Sequence, residues 1–164
     1  MRVRVTEELR QLQVARLRRA ARRTGGEDLL ELGAKHPLFL WLYGSTLIQA
    51  SVEPDGSVAL NAFLVFGPKS RDVTASELAW LSIELPVGQL VRDDEGDLLL
   101  VHREAIDSPP EELESMVDQF CQHADELDDL LSERVGALRV ADRIQIDVEQ
   151  ALRRALNRTR ELVH

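Results

Sequence analysis

Apolar residues along the chain change between helical and strand spacing, and each change predicts an element. From Thr6 to Arg23, Leu9, Leu12, Ala15, Leu17, Ala20 and Ala21 recur at helical spacing among arginines, and Gly25-Gly26 ends the pattern. Between Pro37 and Phe66 the character turns to β. Leu38 to Tyr43 runs apolar to Gly44, and Thr46, Ile48, Ala50 and Val52 alternate with Leu47, Gln49, Ser51 and Glu53. Glu53-Pro54-Asp55-Gly56 then supplies a proline to preset φ and a glycine for positive φ, so Val58 to Phe66 returns as a hairpin partner. Three strands, or two long ones, result.

A polar loop, Gly67 to Val73, leads to Thr74-Ala75-Ser76-Glu77, a capping box that opens a short helix through about Leu85. A strand competes for the same residues, because Trp80, Ile83 and Leu85 also suit a sheet. Val87 to Arg92 and Leu98 to Glu104 read as strands joined by the turn Asp93-Asp94-Glu95-Gly96-Asp97. Ser108-Pro109-Pro110-Glu111 gives an N-cap hydroxyl followed by prolines that need no amide donor, and Leu113, Val117, Phe120, Ala124, Leu127 and Leu131 continue it as the stripe of a long helix ending at Gly136. Ala141 to Leu162 predicts a last helix with Ile144, Val148, Leu152, Ala155 and Leu156 on one face. The class is therefore α+β: an antiparallel sheet flanked by helices, in the order α-β-β-β-α-β-β-α with an additional C-terminal helix. Residues 1–136 form one domain, and 137–164 form a helical extension that packs on it or on a partner subunit.

At 164 residues with 44% hydrophobic and 30% charged positions, the chain is in the globular range. Residues 1–23 carry a net +6, 24–138 a net −17 and 139–164 a net +2, so an acidic centre lies between two arginine-bearing ends that can dock on it. The total of −9 disfavours nucleic acid, and no aromatic residue is interleaved with the N-terminal arginines to stack bases. The N-terminus lacks the apolar core of a signal peptide, and no apolar run is long enough to span a bilayer, which predicts a cytoplasmic protein without membrane contact.

Candidate chemistry is sparse. Cys121, the single cysteine, cannot form an intrachain disulfide and sits beside an apolar stripe, as a small buried hydrophobe does. The four histidines, at 36, 102, 123 and 164, have no metal-binding spacing, and no nucleophile elbow or phosphate-cradling glycine loop is present. No enzyme and no cofactor are expected. Asp93, Glu95 and Asp97 resemble the opening of a calcium loop, the alternative reading being a solvated hairpin turn. Asp125, Glu126, Asp128 and Asp129 add a further acidic segment, the solvated face of a helix whose adjacent positions point apart.

The element order, the stretch Leu85-Pro86-Val87-Gly88-Gln89-Leu90-Val91-Arg92-Asp93-Asp94-Glu95-Gly96-Asp97-Leu98 and the helix opening Ser108-Pro109-Pro110-Glu111-Glu112-Leu113 resemble the YbjN-like bacterial proteins and the type III secretion chaperones over about residues 38–134. That resemblance implies a non-enzymatic, chaperone-like or regulatory module that binds a peptide or protein client, often as a homodimer. It transfers no catalytic residue, and the helix beyond Gly136 departs from it. Leu47, Gln49, Ser51, Ala59 and Phe63 alternate away from the likelier core face and are the candidate peptide-binding positions. The alternative function is divalent-cation binding by the acidic turn and helix.

Overall fold

The computed structural model describes residues 6–65, 73–83, 85, 87–105, 107–135 and 156–157. Helix α1 spans Glu7–Gly25. The Thr6 hydroxyl accepts the Leu9 amide at its start, Glu7 and Glu8 complement the positive end of the dipole, and Gly26 stops it at φ +54°. Its buried face is turned relative to the predicted stripe. Val14, Leu17, Ala20 and Ala21 are buried with Arg10 and Gln13, while Leu9 and Leu12 are exposed. Arg10 reaches the Val52 carbonyl at 3.4 Å, which explains how an arginine stem comes to lie inside.

Six strands follow in one antiparallel sheet: β1 Leu30–Leu32, β2 Leu38–Tyr43, β3 Thr46–Val52, β4 Val58–Val65, β5 Gln89–Arg92 and β6 Leu98–Glu104. The spatial order is β1-β2-β3-β4-β6-β5. The Pro37–Phe66 stretch thus resolves into three strands, and β1 is a three-residue addition beside them. The two hairpins that the turn residues announce close alike. In the first, Glu53 N–H donates to Ser57 O at 2.8 Å, and Asp55 accepts the Ser57 amide at 3.0 Å and its hydroxyl at 2.6 Å. In the second, Asp93 N–H donates to Asp97 O at 3.0 Å, and Asp93 accepts the amides of Glu95 and Asp97, each at 2.9 Å.

Helix α2 covers Ala75–Ile83 and α3 covers Pro110–Val135. Thr74 caps α2 by accepting the Glu77 amide at 3.2 Å, so helix prevails over strand there. At α3 the cap differs from the expected one. Pro110 is the first helical residue, and the Ser108 hydroxyl donates instead to Glu104 at 2.6 Å. α1 and α3 share one face of the sheet, where Leu17, Ala21, Leu113, Val117, Phe120 and Ala124 join Phe39, Trp41, Ile48, Leu60 and Leu100 in the main core. Burial of side chains of this size contributes about 1.5–3 kcal/mol each. α1 also docks on the acidic face of α3: Arg19 pairs with Glu114 at 3.1 Å, and Arg23 with Glu114 at 3.0 Å and Asp118 at 3.6 Å. These arginines are exposed, so they orient the helices more than they stabilise them.

The opposite face carries a second cluster, Leu38, Leu40, Leu47, Phe63 and Leu99, to which no described helix contributes a residue. No helix among the described residues is long and apolar enough to cross a membrane. The polar loop expected from Gly67 to Val73 falls outside the described residues except for Val73, and the expected helix from Ala141 to Leu162 falls outside them except for Leu156 and Asn157.

Candidate functional site

Strand register puts all five candidate peptide-binding positions on the second face. Leu47 lies opposite Phe63, and Phe63 opposite Leu99; Ser51 lies opposite Ala59, and Ala59 opposite Arg103. Leu47, Gln49 and Phe63 are buried, whereas Ser51 and Ala59 are half-buried. The face is therefore graded, apolar and closed where Leu47, Phe63 and Leu99 meet, polar and open toward the β3–β4 turn. A groove of about 500 Å³ occupies the open part, lined among others by Glu53, Ala59, Asn61, Gln89, Val101 and Arg103. Glu53 retains only 7% of its exposure. Burial pushes its carboxyl above the usual range, Arg103 and Arg10 counter that in part, and Asp55 adds to it.

The acidic turn is committed to its own backbone. The Asp93 carboxylate gathers the amides of Glu95 and Asp97, and Asp97 is buried. On α3, carboxylate oxygens of Asp125, Asp128 and Asp129 come within 4.8 Å of one another, closer than the sequence reading of the helix face expects. The β2–β3 hairpin explains part of that convergence. Ser45 donates its amide to Asp125 at 3.1 Å and its hydroxyl to Asp128 at 2.5 Å. Gly44, at φ +58°, lets the hairpin approach so closely that a Cβ there would stand 2.3 Å from Asp125 Oδ1.

Two further described groups have shifted protonation equilibria, Glu104 and Cys121. Ser108 and His102 both meet Glu104, the imidazole Nε2 at 2.9 Å, and together hold its carboxyl below the ordinary range. Ser108 and His102 are thus joined through the Glu104 carboxylate rather than to each other. Cys121 is fully buried, with its thiol pushed up to about 12, chiefly by burial.

A second open surface was not anticipated from the sequence. Between α2 and the end of α3 lies a groove of about 440 Å³ lined by Ser76, Glu77, Trp80, Leu81, Leu130 and Leu131. Trp80 is 64% exposed and Leu130 50%, and neighbouring Ile83 is 82% exposed. The signal was available: α2 buries only Leu78, so the other large apolar residues on so short a helix have little core to enter. Ambiguity between helix and strand at Trp80 concealed it. No protein-family model matches the chain, and no curated protein matches it.

Proposed function

We propose that this chain is a non-enzymatic peptide- or protein-binding module, chaperone-like or regulatory, of the YbjN-like or type III secretion chaperone-like kind. The observation that carries the reading is the α2–α3 groove, where a tryptophan and a leucine stand in solvent around a concave apolar floor. Exposed apolar residues grouped in this way favour association, and a groove between two helices accepts the apolar face of an amphipathic segment with anchors at i, i+3, i+4 and i+7. Tryptophan is also the side chain that most often dominates such contacts. The reading includes a cytoplasmic location and a homodimer, for which light-scattering mass is the direct measurement.

The test is selection of helical peptides from a display library, followed by affinity measurement. Peptides with helically spaced apolar anchors are expected, and Trp80→Glu is expected to weaken them by at least about tenfold, the equivalent of roughly 1.4 kcal/mol. Selection that yields no binder, or binders indifferent to Trp80→Glu and Leu130→Glu, contradicts the proposal.

A second reading, a divalent-cation-binding regulatory protein, draws support from the approach of Asp125, Asp128 and Asp129. The bonds from Ser45 compete with it by occupying two of the three carboxylates. Calorimetric titration with calcium decides: micromolar binding lost in Asp129→Asn favours the cation, and absence of heat removes this reading.

A further inference from the structure

The α2–α3 groove has a charge asymmetry that its apolar floor does not require. From His123 to Val135, α3 contains five acids, Asp125, Glu126, Asp128, Asp129 and Glu133, against one arginine, Arg134, and α2 adds Glu77 and no base. Helix geometry decides which of these acids border the groove. Glu126 and Glu133 stand four residues before and three residues after Leu130, so they share its face and flank the leucine that lies half in solvent at the groove's edge. Both glutamates are exposed. Glu126 meets the His123 imidazole at 3.9 Å, and Glu133 makes no ion pair among the described residues. Asp125 and Asp128 instead turn to the β2–β3 hairpin, where they accept Ser45. The groove therefore has an apolar floor and a negative outer border along α3, and the net −17 of residues 24–138 gives the surrounding field the same sign.

Resting on the reading of this groove as a helix-docking site, we propose that its occupant is a basic amphipathic helix of a partner protein. Its apolar anchors enter between Trp80 and Leu130, and lysines or arginines on its flank lie along Glu126 and Glu133. The two glutamates are seven residues apart, two turns or about 10.5 Å along α3, so an occupant lying along α3 meets both with bases one heptad apart. Burial of the anchors supplies affinity, and the charged border selects among helices with the same anchors.

The experiment is a fluorescence-anisotropy titration of the full chain with three labelled alanine-based helical peptides. All carry leucines at i, i+3, i+4 and i+7, and they differ in having lysine, glutamine or glutamate at two flanking positions seven residues apart. At low ionic strength the lysine peptide is expected to bind about threefold to tenfold tighter than the glutamine peptide, the effect of two exposed ion pairs, and the glutamate peptide more weakly than either. Added salt should shrink the preference. Glu126→Gln/Glu133→Gln should bring the lysine and glutamine peptides within about twofold of each other and leave the glutamine peptide's affinity as it was. Glu111→Gln/Glu112→Gln, which removes the same charge about 27 Å away along α3, should keep the preference. Equal binding of all three peptides, still weakened by Trp80→Ala, overturns the basic occupant and leaves the helix-docking groove standing; binding by none of them overturns both. A lysine preference that survives Glu126→Gln/Glu133→Gln also overturns the assignment, since the charge of the whole chain would then be its source. Val148→Glu/Leu152→Glu should leave the lysine peptide's affinity unchanged, and tighter binding in that variant would assign the groove to this chain's own residues 141–162. A light-scattering mass that halves as the lysine peptide saturates would assign it to a second copy of the chain.

Discussion

Gly44→Ala tests how the hairpin and the long helix hold each other. The residue has φ +58°, where an alanine is strained by about 1–2 kcal/mol. Its new Cβ would also stand 2.3 Å from Asp125 Oδ1 and 2.7 Å from Asp125 Cγ, so the carboxylate must leave. Its departure removes the 3.1 Å bond from the Ser45 amide, a hydrogen bond to a charged group worth about 1.5–3 kcal/mol. The two effects together give a destabilisation of roughly 2.5–5 kcal/mol, read as a lower urea midpoint at unchanged slope. The double variant Gly44→Ala/Asp125→Ala separates them. Against Asp125→Ala as reference, the glycine substitution should then lose only the backbone strain, about 1–2 kcal/mol. A Gly44→Ala protein within about 0.5 kcal/mol of the wild type would refute the reasoning, as would a double variant showing no coupling. The consequence reaches the proposed binding groove, since Leu130 and Leu131 lie just beyond Asp128 on the same helix.

Two buried or half-buried glutamates are expected to act on stability in opposite directions with pH. Glu104 is held low by Ser108 and His102, so its contribution is present above the unfolded glutamate value of about 4.3 and is lost as pH falls through the folded one. Urea titrations at stepped acidic pH should show Ser108→Ala losing about 0.5–1.5 kcal/mol at neutrality and less in acid. Glu53 is raised by burial, with Arg103, Asp55 and Arg10 acting on it, so its contribution is present in acid and lost as pH rises through the folded value. The stability gain of Glu53→Gln over the wild type should therefore grow from about pH 4.3 toward neutrality, and a constant gain contradicts the burial argument. Cys121, pushed up to about 12, should resist a thiol reagent at pH 8 until the protein unfolds, and fast labelling of the native protein would show that the core around Phe120 and Ala124 opens.

Much of the fold was legible because local chemistry and hydrophobic period agree. The Pro-Asp-Gly and Asp-Asp-Glu-Gly-Asp turns each place a carboxylate where it accepts backbone amides, and the strands on either side alternate in register. The face of α1 was misread because its start buries Arg10 and Gln13, which hydropathy assigns to solvent, while Leu9 and Leu12 stay outside. β1 is too short for alternation to be seen in three residues. At α3 the serine and the two prolines marked the right place, but the hydroxyl's partner is a glutamate on β6, which is four residues away and cannot be distinguished from a cap by spacing. The alternation at Leu47, Gln49, Ser51, Ala59 and Phe63 correctly put these residues on one face, yet periodicity does not tell how deeply each is buried. The α2–α3 groove depends on where two helices meet, which no single stretch of sequence states.

Acrylamide quenching of tryptophan emission is the most direct measurement of the groove's occupancy. Trp41 is buried and Trp80 exposed, so quenching of the free protein reports mainly on Trp80. With a display-selected helical peptide at saturation, Trp80 should become shielded and the quenchable fraction should fall toward that of Trp80→Phe. A peptide that binds and leaves quenching unchanged would place the docking surface elsewhere.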